Sequence, residues 1–268
     1  MNRIIIQELH ILIFPRKKGL ELLFFLLFLV PCSMPTSQAL TGSGGIFSLY
    51  AQVGQPRTDL AIGGGAGFVM NRVTFSPAIK ETFKNGMTVG FTARYTCEKY
   101  FNMICAFQGE INYSQAGWKE EFDEGSDLAY QRTIHYVQMP LIAHLGFGKE
   151  RGGVKGFLNI GPQLGFCIGE NEDKSGDWSK YVPTRILVGG LTQYDLKVEK
   201  KFEYGIAGGL GMDISTKNGH HFILEGRYFF GLSDIFKNSK KDPFGRSANS
   251  TIYVKVSYLF DIIKTSGI

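Results

Sequence analysis

Cysteine is scarce in this sequence, and its spacing does not suggest a metal site. The 268 residues contain four cysteines. Cys97 and Cys105 are eight positions apart, Cys32 and Cys167 stand alone, and no CxxC pair or His-plus-Cys cluster occurs. Zinc is therefore unsupported. The sequence also lacks an HExxH motif, a nucleophile elbow and a Ser/His/Asp order, so we expect no catalytic residue, no cofactor and no metal.

A strong charge of one sign is missing as well. The formal net charge is only +5, and no basic stripe with interleaved aromatic residues occurs, so we expect no nucleic-acid partner. Proline is sparse at 9 residues, whereas glycine reaches 34 and aromatic residues make up 13% of the chain. Glycine and aromatic residues with little helical periodicity indicate an all-β chain.

The longest apolar run lies near the N-terminus and is too short to cross a membrane as a helix. It covers 20–30 (LELLFFLLFLV), is interrupted only by Glu21, and has about half of the ~20 residues that a spanning helix needs. A basic stretch (PRKKG, 15–19) precedes it, and the small-residue triplet SQA ends at Ala39. This order predicts a cleaved signal peptide over 1–39, with cleavage possible as late as Ala51, and therefore export from the cytoplasm.

Beyond residue 58 the sequence reads as β-strands separated by turn residues. The segment 250–260 (STIYVKVSYLF) shows the pattern, because Ile, Val, Val, Tyr and Phe occupy alternate positions and mostly polar residues lie between them. Eight such segments are predicted, and the last would pair with the first. They cover 59–74, 85–97, 101–117, 131–147, 153–169, 202–215, 220–231 and 249–261.

The connections between these segments alternate between long and short. The tight ones lie near 99–100, 148–152 and 216–219. The longest ones are the loops 118–130, 170–201 and 232–248. Alternation places all long loops at one end of the sheet, as in outer-membrane barrels. We therefore predict an all-β fold, an eight-stranded antiparallel up-and-down transmembrane β-barrel over 59–262, after a linker (40–58) and before a C-terminal tail (263–268).

The strand pattern alone fits two environments. A soluble sandwich or lipocalin-like barrel points its apolar face inward, whereas a membrane barrel points that face to lipid. Aromatic residues near strand ends, such as Tyr95, Tyr113 and Tyr258, favour the membrane barrel. The segment 250–260, tilted and rising ~3.3 Å per residue, also matches the apolar thickness of an outer membrane. A soluble lipocalin-like binder stays open as the alternative.

Several segments also occur in a characteristic order. They are MTVGFTARY (87–95), AFQGEINYSQAGWKEEF (106–122), IHYVQMPLIAHLGFG (134–148), GFLNIGPQLGFCIG (156–169), YGIAGGLGMDI (204–214) and FILEGRYFFGLSDI (222–235). Together they resemble the small outer-membrane β-barrel proteins grouped as the porin family or PorT-like proteins. The resemblance spans roughly 60–262. It departs at Ala116, where the family usually has Lys, and at Gln138, where the family usually has Glu.

The resemblance implies an integral barrel in the outer membrane of a Gram-negative bacterium. Members are mostly of undefined activity, and the association of PorT with protein secretion does not transfer with the fold. The last strand is similar to the C-terminal signal read by the barrel-assembly machinery, so outer-membrane lipid and that machinery are the expected partners. A protein or small-molecule ligand would bind at the external loops. A narrow channel for small or hydrophobic solutes and a secretion accessory are the alternatives.

Charges on the face opposite the apolar one would lie inside the barrel. An eight-stranded barrel is only wide enough for side chains to fill it, and an unpaired charge there costs several kcal/mol. We therefore predict that an interior network of ion pairs and hydrogen bonds plugs the lumen. Its predicted members are Arg94, Glu110, Glu225, Arg227 and Lys255.

Two further predictions concern single residue types. Cys97 and Cys105 share a parity and flank the turn near residue 101, so in register they would face each other across two strands. Export permits oxidation, so a disulfide between them and two lipid-facing thiols both remain possible.

The remaining candidates for chemistry are four histidines, which are interpreted as surface or turn residues. They are His135, His144, His220 and His221.

Overall fold

The computed structural model describes residues 55–122, 127–149, 151–178, 194, 196–238 and 244–265. The predicted signal peptide, its cleavage positions and most of the predicted linker lie outside these residues. Residues 55–58, which the sequence assigned to the linker, form the beginning of the first strand. Among the described residues, no helix is long and apolar enough to cross a membrane.

Nine β-strands form in the described part of the chain, and eight of them are long. They are β1 (Gln55–Ser76), β2 (Glu81–Thr82), β3 (Lys84–Tyr100), β4 (Met103–Glu120), β5 (Ala129–Gly148), β6 (Gly153–Ser175), β7 (Phe202–Ser215), β8 (His220–Gly231) and β9 (Arg246–Ile263). The eight long strands correspond to the eight predicted ones, and β2 is an additional two-residue strand. Several strands run further into the long loops than the sequence predicted.

The eight long strands close into a ring. Their order is β4-β3-β1-β9-β8-β7-β6-β5, and β5 pairs back onto β4. Every neighbouring pair is antiparallel, and the closing pair β1–β9 runs from Leu60 opposite Ile263 to Ser76 opposite Arg246. Closure leaves no free edge within the ring. The predicted up-and-down barrel is therefore confirmed, with a loop end that carries the long connections and a turn end that carries the short ones.

The apolar face of the strands points outward. On β9, Val256 is 62% exposed whereas its neighbour Lys255 is 4% exposed. The same alternation holds along β3, where Phe91 is exposed and Arg94 is buried. A soluble barrel would show the opposite arrangement, because its apolar side chains would be buried. The lipocalin-like alternative is therefore wrong.

Both faces change polarity near the loop end. On the outside of β5, Gln131, Thr133 and His135 are polar, whereas every outward position from Val137 to Phe147 is apolar. On the inside, the loop end of the same strand buries the apolar Ile134 and Tyr136. The barrel thus consists of an apolar belt with a polar interior, continued by a shorter segment with a polar exterior and an apolar core.

Tyrosine–histidine pairs mark the two edges of the belt. Tyr113 stacks on His135 near the loop end, and Tyr258 stacks on His220 near the turn end, with hydroxyl-to-Nδ1 distances of 2.6 Å and 2.8 Å. Aromatic residues with a polar tip are enriched at membrane interfaces. The span from Val137 to Phe147, tilted by ~40° and rising ~3.3 Å per residue, is about 25 Å tall, which matches the apolar band of outer-membrane barrels.

Glycines on β1 allow the barrel to be narrow. A Cβ added to Gly63 would lie 1.9 Å from the carbonyl oxygen of Tyr258, and one added to Gly67 would lie 2.3 Å from that of Val254. No side chain fits at these two inward positions. Gly63 and Gly67 therefore allow close backbone approach between β1 and β9.

Candidate functional site in the barrel lumen and mouth

Four buried charged side chains meet in the middle of the lumen. The Arg227 guanidinium donates to Glu110 (Nη2 to Oε1 2.6 Å, Nη1 to Oε2 3.1 Å) and to Glu225 (Nε to Oε1 2.9 Å, Nη2 to Oε2 2.9 Å). Lys255 donates to Glu110 Oε2 over 2.9 Å. Two cations thus face two carboxylates in this central layer, and strands β4, β8 and β9 supply them. Such fully paired charges avoid the large desolvation cost of isolated ones.

A second layer of charges lies closer to the turn end and is centred on Asp213. Its carboxylate accepts hydrogen bonds from Arg94 Nη1 over 2.9 Å and lies 3.3 Å from Lys155 Nζ. His221 bridges two carboxylates, with Nδ1 3.0 Å from Asp213 and Nε2 3.2 Å from Asp261. Of the five predicted network residues, Arg94 therefore belongs to this turn-end layer rather than to the central one.

The amide side chain of Gln108 connects the central and turn-end layers, and that of Asn159 extends the central layer to His144. Gln108 accepts from Arg94 Nε over 2.9 Å and donates to Glu110 Oε1 over 2.6 Å. Asn159 donates to Glu225 Oε1 over 2.7 Å. Because an amide both donates and accepts, it can join a cation on one side to a carboxylate on the other. The result is one hydrogen-bonded network that crosses the lumen and includes all five predicted residues.

A third layer of polar groups lies toward the loop end. Asn249 donates to the buried carboxyl of Glu203 and to the hydroxyl of Tyr136, and Asn71 donates to Asn249 over 3.1 Å. Thr251 completes the layer by donating to Asn71. This loop-side layer differs from the other two because amides and hydroxyls, rather than cations, surround its carboxyl group.

Little space remains between the central and loop-side layers. Tyr253 donates to Gln138 over 3.0 Å, and Gln163 donates to the Tyr253 hydroxyl over 3.4 Å. The cavity that these residues enclose with the central layer measures about 10 Å³, which is room for about one water molecule. Its lining residues are Thr88, Asn112, Gln138, Gln163, Arg227, Tyr253 and Lys255.

Aromatic side chains fill the mouth of the barrel at the loop end. Trp118, which is 0% exposed, contacts Phe75, Tyr130 and Phe236 with ring centroids 5.2, 6.4 and 6.2 Å apart. The guanidinium carbon of the buried Arg132 lies 5.3 Å from the Trp118 ring. We call this cluster the mouth core. Its buried members are Val73, Phe75, Ala116, Trp118, Tyr130, Ile134, Tyr136, Cys167, Val198, Ile235, Phe236 and Phe244.

The described parts of the long β6–β7 loop pack onto the mouth core. Tyr194 lies 4.7 Å from Tyr130 and 5.1 Å from Trp178, measured between ring centroids. Its hydroxyl donates to Glu120 over 2.7 Å. Arg132 donates to the carbonyl oxygen of Leu196 in the same loop. These contacts hold the described loop residues Trp178, Tyr194 and Leu196 against the side chains that fill the opening.

The two cysteines do not face each other as the sequence suggested. The structure holds Cys97 and Cys105 as thiols without a disulfide between them. The β3–β4 register shifts between Thr96 and Glu98, so that Glu98 lies opposite Cys105. The predicted register is wrong because it assumed an unbroken ladder, and a β-bulge adds one residue to β3.

Two of the four histidines also lie where the sequence did not place them. His144 is 1% exposed, and its Nδ1 lies 2.7 Å from Asn159 Oδ1. His221 bridges two carboxylates of the turn-end layer. Both belong to the barrel interior, so their interpretation as surface or turn residues is wrong. His135 and His220 do lie on the outer face. No group of three or more His, Cys, Asp or Glu side chains in the described residues could hold a metal ion.

Near the loop end, a partly buried carboxyl group on β2 gives the fold a pH-dependent contact outside the apolar belt. Glu81 lies opposite Glu120 of β4, and the amide of Glu121 donates to the carbonyl of Lys80 over 3.0 Å. Burial raises the pKa of Glu81 from 4.5 to about 7, against the lowering effects of the Val73 amide and Arg72. Because the folded state then holds the proton more tightly, docking of β2 should weaken as the pH rises from about 4.5 to about 7.

Hydrogen exchange at the Glu121 amide tests this prediction. After correction for intrinsic exchange rates, the Glu121 backbone amide should be better protected at pH 5 than at pH 8. Glu81→Gln should abolish this difference, because a glutamine side chain does not titrate. The Gly219 amide, which donates to Thr216 in a turn at the opposite end, is the internal control. A pH dependence that persists in Glu81→Gln would show that another group is responsible.

The closed ring, the outward apolar belt and the charged, filled interior define a class of protein, the transmembrane antiparallel β-barrel. Residues 50–237 match the family model described as outer membrane protein beta-barrel domain. The chain belongs to this family. It is accordingly an outer-membrane protein, and it lies in a lipid environment.

Several solved structures have a similar fold at low sequence identity. Neisserial surface protein A is 10% identical, with a TM-score of 0.40 over 75% of this chain and 96% of its own. Outer membrane protein OprG from Pseudomonas aeruginosa is 11% identical, with a TM-score of 0.43 over 78% of this chain and 98% of its own. The N-terminal β-barrel domain of OprF from the same organism is 10% identical, with a TM-score of 0.35 over 78% and 100%. No curated protein sequence matches the chain.

Proposed function

We propose that this protein is an integral outer-membrane barrel with a closed lumen, and that its loop end serves as a structural or binding platform on the cell surface. In this proposal it is not an enzyme, and it reaches the membrane through a cleaved signal peptide and the barrel-assembly machinery. The resemblance of its strand segments to the PorT-like proteins supports a place in that group. A protein or small-molecule ligand at the external loops would be its partner.

The observation that carries this proposal is the continuous filling of the lumen. Three polar layers and the mouth core follow one another from the turn end to the loop end. The cavity described between two of the layers has room for about one water molecule. A narrow channel for small or hydrophobic solutes would need a continuous path, and the hydrogen-bonded side chains of the central layer stand across it.

The loop end supports the platform role because the described parts of its loops are anchored to the barrel. Arg132 and Tyr194 tie the β6–β7 loop to the mouth core, and Asp234 accepts from the amide of Ser247 over 2.7 Å in the β8–β9 connection. In outer-membrane barrels the long loops face the exterior. Loop segments that are already anchored lose less conformational entropy on binding, which favours recognition.

Single-channel recording in a planar bilayer tests the proposal. The purified, folded chain should insert without steady conductance on the nanosiemens scale, since ions cannot pass the paired charges. An open porin inserted under the same conditions is the positive control, and heat-modifiable mobility on a gel verifies that the chain is folded. Steady nanosiemens-scale steps from the folded chain would contradict a closed lumen and favour the channel alternative.

A further inference from the structure

A lysine side chain at the loop end lies over two aromatic rings at once. Lys174, near the end of β6, is the cross-strand neighbour of Tyr130 on β5. Its Nζ lies 5.7 Å from the ring centroid of Tyr130 and 5.6 Å from that of Tyr194. The two ring centroids are 4.7 Å apart, and the ring planes are inclined by 72°. Both distances are within the ~6 Å over which an aromatic face attracts a cation, so the ammonium group occupies a two-walled cation site.

Further aromatic side chains hold the two tyrosine rings in place. Trp178 lies 5.1 Å from Tyr194 and 6.3 Å from Tyr130, and Phe122 lies 5.6 Å from Trp178, all measured between ring centroids. All three contacts are edge-to-face, which is a favourable geometry for aromatic pairs. We call Phe122, Tyr130, Trp178 and Tyr194 the aromatic cage. Its rings come from the β4–β5 connection, from β5 and from the β6–β7 loop, so only the folded loop end assembles it.

The charges around the cage also favour a cation. Glu172 Oε2 lies 3.5 Å from Lys174 Nζ, and Glu120 Oε2 accepts a hydrogen bond from the hydroxyl of Tyr194 over 2.7 Å. Arg132 forms an ion pair with the other oxygen of Glu172. If the lysine ammonium left, these two carboxylates would face one guanidinium. The emptied cage would therefore carry a net negative charge and attract another cation.

Lys174 can leave the cage without disturbing it. Its side chain is 40% exposed, and such exposed ion pairs as the one with Glu172 contribute little to stability. Lysine has a flexible four-carbon stem, so the ammonium group can swing into solvent while the backbone of β6 stays in place. The two tyrosine rings keep their contacts with each other and with Trp178, and these contacts do not involve the lysine.

We propose that the aromatic cage binds a ligand with a quaternary ammonium group, and that Lys174 occupies the cage until such a ligand displaces it. A lysine ammonium is compact and strongly hydrated, whereas a quaternary ammonium spreads its charge over methyl groups and loses little water on entering. Aromatic cages are the usual protein sites for this group. The inference rests on the proposed binding role of the loop end and names the chemical class of the ligand. It does not depend on a closed lumen.

Saturation-transfer NMR titration of the folded chain in octyl glucoside micelles tests this proposal, with choline as the probe. The neutral tert-butyl analogue of choline, in which carbon replaces the nitrogen, should bind more weakly by roughly fivefold to thirtyfold. Lys174→Met should tighten choline binding by roughly threefold to tenfold, because the competing ammonium group is lost. Lys237→Met removes another exposed lysine charge at the loop end, so it is the matched control and should leave the affinity unchanged.

Two substitutions of Tyr194 separate the aromatic ring from its hydroxyl group. Tyr194→Phe keeps the ring and removes the hydrogen bond to Glu120, so choline binding should stay within about twofold of the wild type. Tyr194→Leu keeps an apolar side chain and removes the aromatic face. It should weaken choline binding by roughly fivefold or more.

Three outcomes would overturn the proposal. The first is equal affinity of the wild-type chain for choline and for its neutral analogue, a comparison that needs no variant. The second is the absence of choline binding to both the wild type and Lys174→Met. The third is an equal loss of binding in Tyr194→Phe and Tyr194→Leu. Heat-modifiable mobility confirms that each variant is folded before the titration.

The closed lumen and the aromatic cage can fail separately. A folded chain that conducts no steady current and does not bind choline would refute the cage and leave the closed lumen intact. A folded chain that conducts and still prefers choline to the neutral analogue would refute the closed lumen and leave the cage intact.

Discussion

Replacing Glu110 by Gln is expected to lower the free energy of unfolding by about 3–5 kcal/mol, the usual cost of breaking a buried ion pair by removing one partner. Glu110 accepts hydrogen bonds from both Arg227 and Lys255, so its loss leaves one uncompensated positive charge in the central layer. Unfolding by guanidinium chloride in phospholipid vesicles, followed by tryptophan fluorescence, measures the difference.

A charge-balanced double variant separates charge from packing. Glu110→Gln with Lys255→Met removes one charge of each sign and leaves Arg227 paired with Glu225. The double variant should therefore be more stable than Glu110→Gln alone, although it carries one more substitution. If the double variant is less stable than Glu110→Gln by the full free-energy cost of Lys255→Met measured alone, the two residues are not coupled. The network interpretation is then wrong.

A surface ion pair at the loop end supplies the matched control. Lys237 Nζ lies 3.1 Å from Glu199 Oε1, but both side chains are exposed. Glu199→Gln should therefore change the free energy of unfolding by no more than about 1 kcal/mol. Equal effects of Glu110→Gln and Glu199→Gln would mean that burial does not amplify the central pairs.

The strands, and which of their side chains point into the barrel, could be predicted from the sequence because side chains alternate between the two faces of a strand with a period of two residues. The alternation predicts that Arg94 and Lys255 both point into the barrel, and both side chains are buried in the structure. Their partners could not be predicted in the same way. Arg94 on β3 meets Asp213 on β7, which lies 119 positions away along the chain and across the ring. That pairing depends on the stagger of the closed barrel, which no local pattern contains.

The mouth core was missed because seven of its twelve buried members fall where the sequence predicts loops, and the other five lie at the loop ends of predicted strands. Trp118 and Tyr130 were assigned to the 118–130 connection, whereas β4 continues to Glu120 and β5 begins at Ala129. Beyond the belt the apolar side chains turn inward, so the rule that apolar means outward reverses within a single strand. The sequence does contain a signal for the end of the apolar belt. On β5, His135 has the same outward parity as Val137, and as a polar residue it ends the run of apolar outward positions. The bulge near Cys97 left no comparable signal.

The mouth core and the polar layers make separable contributions, and Trp118→Ala distinguishes them. Truncation of a fully buried tryptophan typically costs about 3–5 kcal/mol through lost contacts and the cavity left behind. Because Trp118 contacts Phe75, Tyr130 and Phe236, the cost should be concentrated at the loop end. Trypsin should then cut the folded variant faster after the lysines between Lys197 and Lys201 than it cuts the wild type.

Conductance of the same variant provides the decisive comparison. The three polar layers lie below the mouth core and keep their hydrogen bonds, so Trp118→Ala should loosen the loops and still conduct no steady current. Phe101→Ala, an exposed aromatic residue in the turn-end connection, is the control and should change neither readout. If Trp118→Ala opens a stable channel, the mouth core alone closes the barrel, and the polar layers then stabilise the fold without blocking the passage of ions.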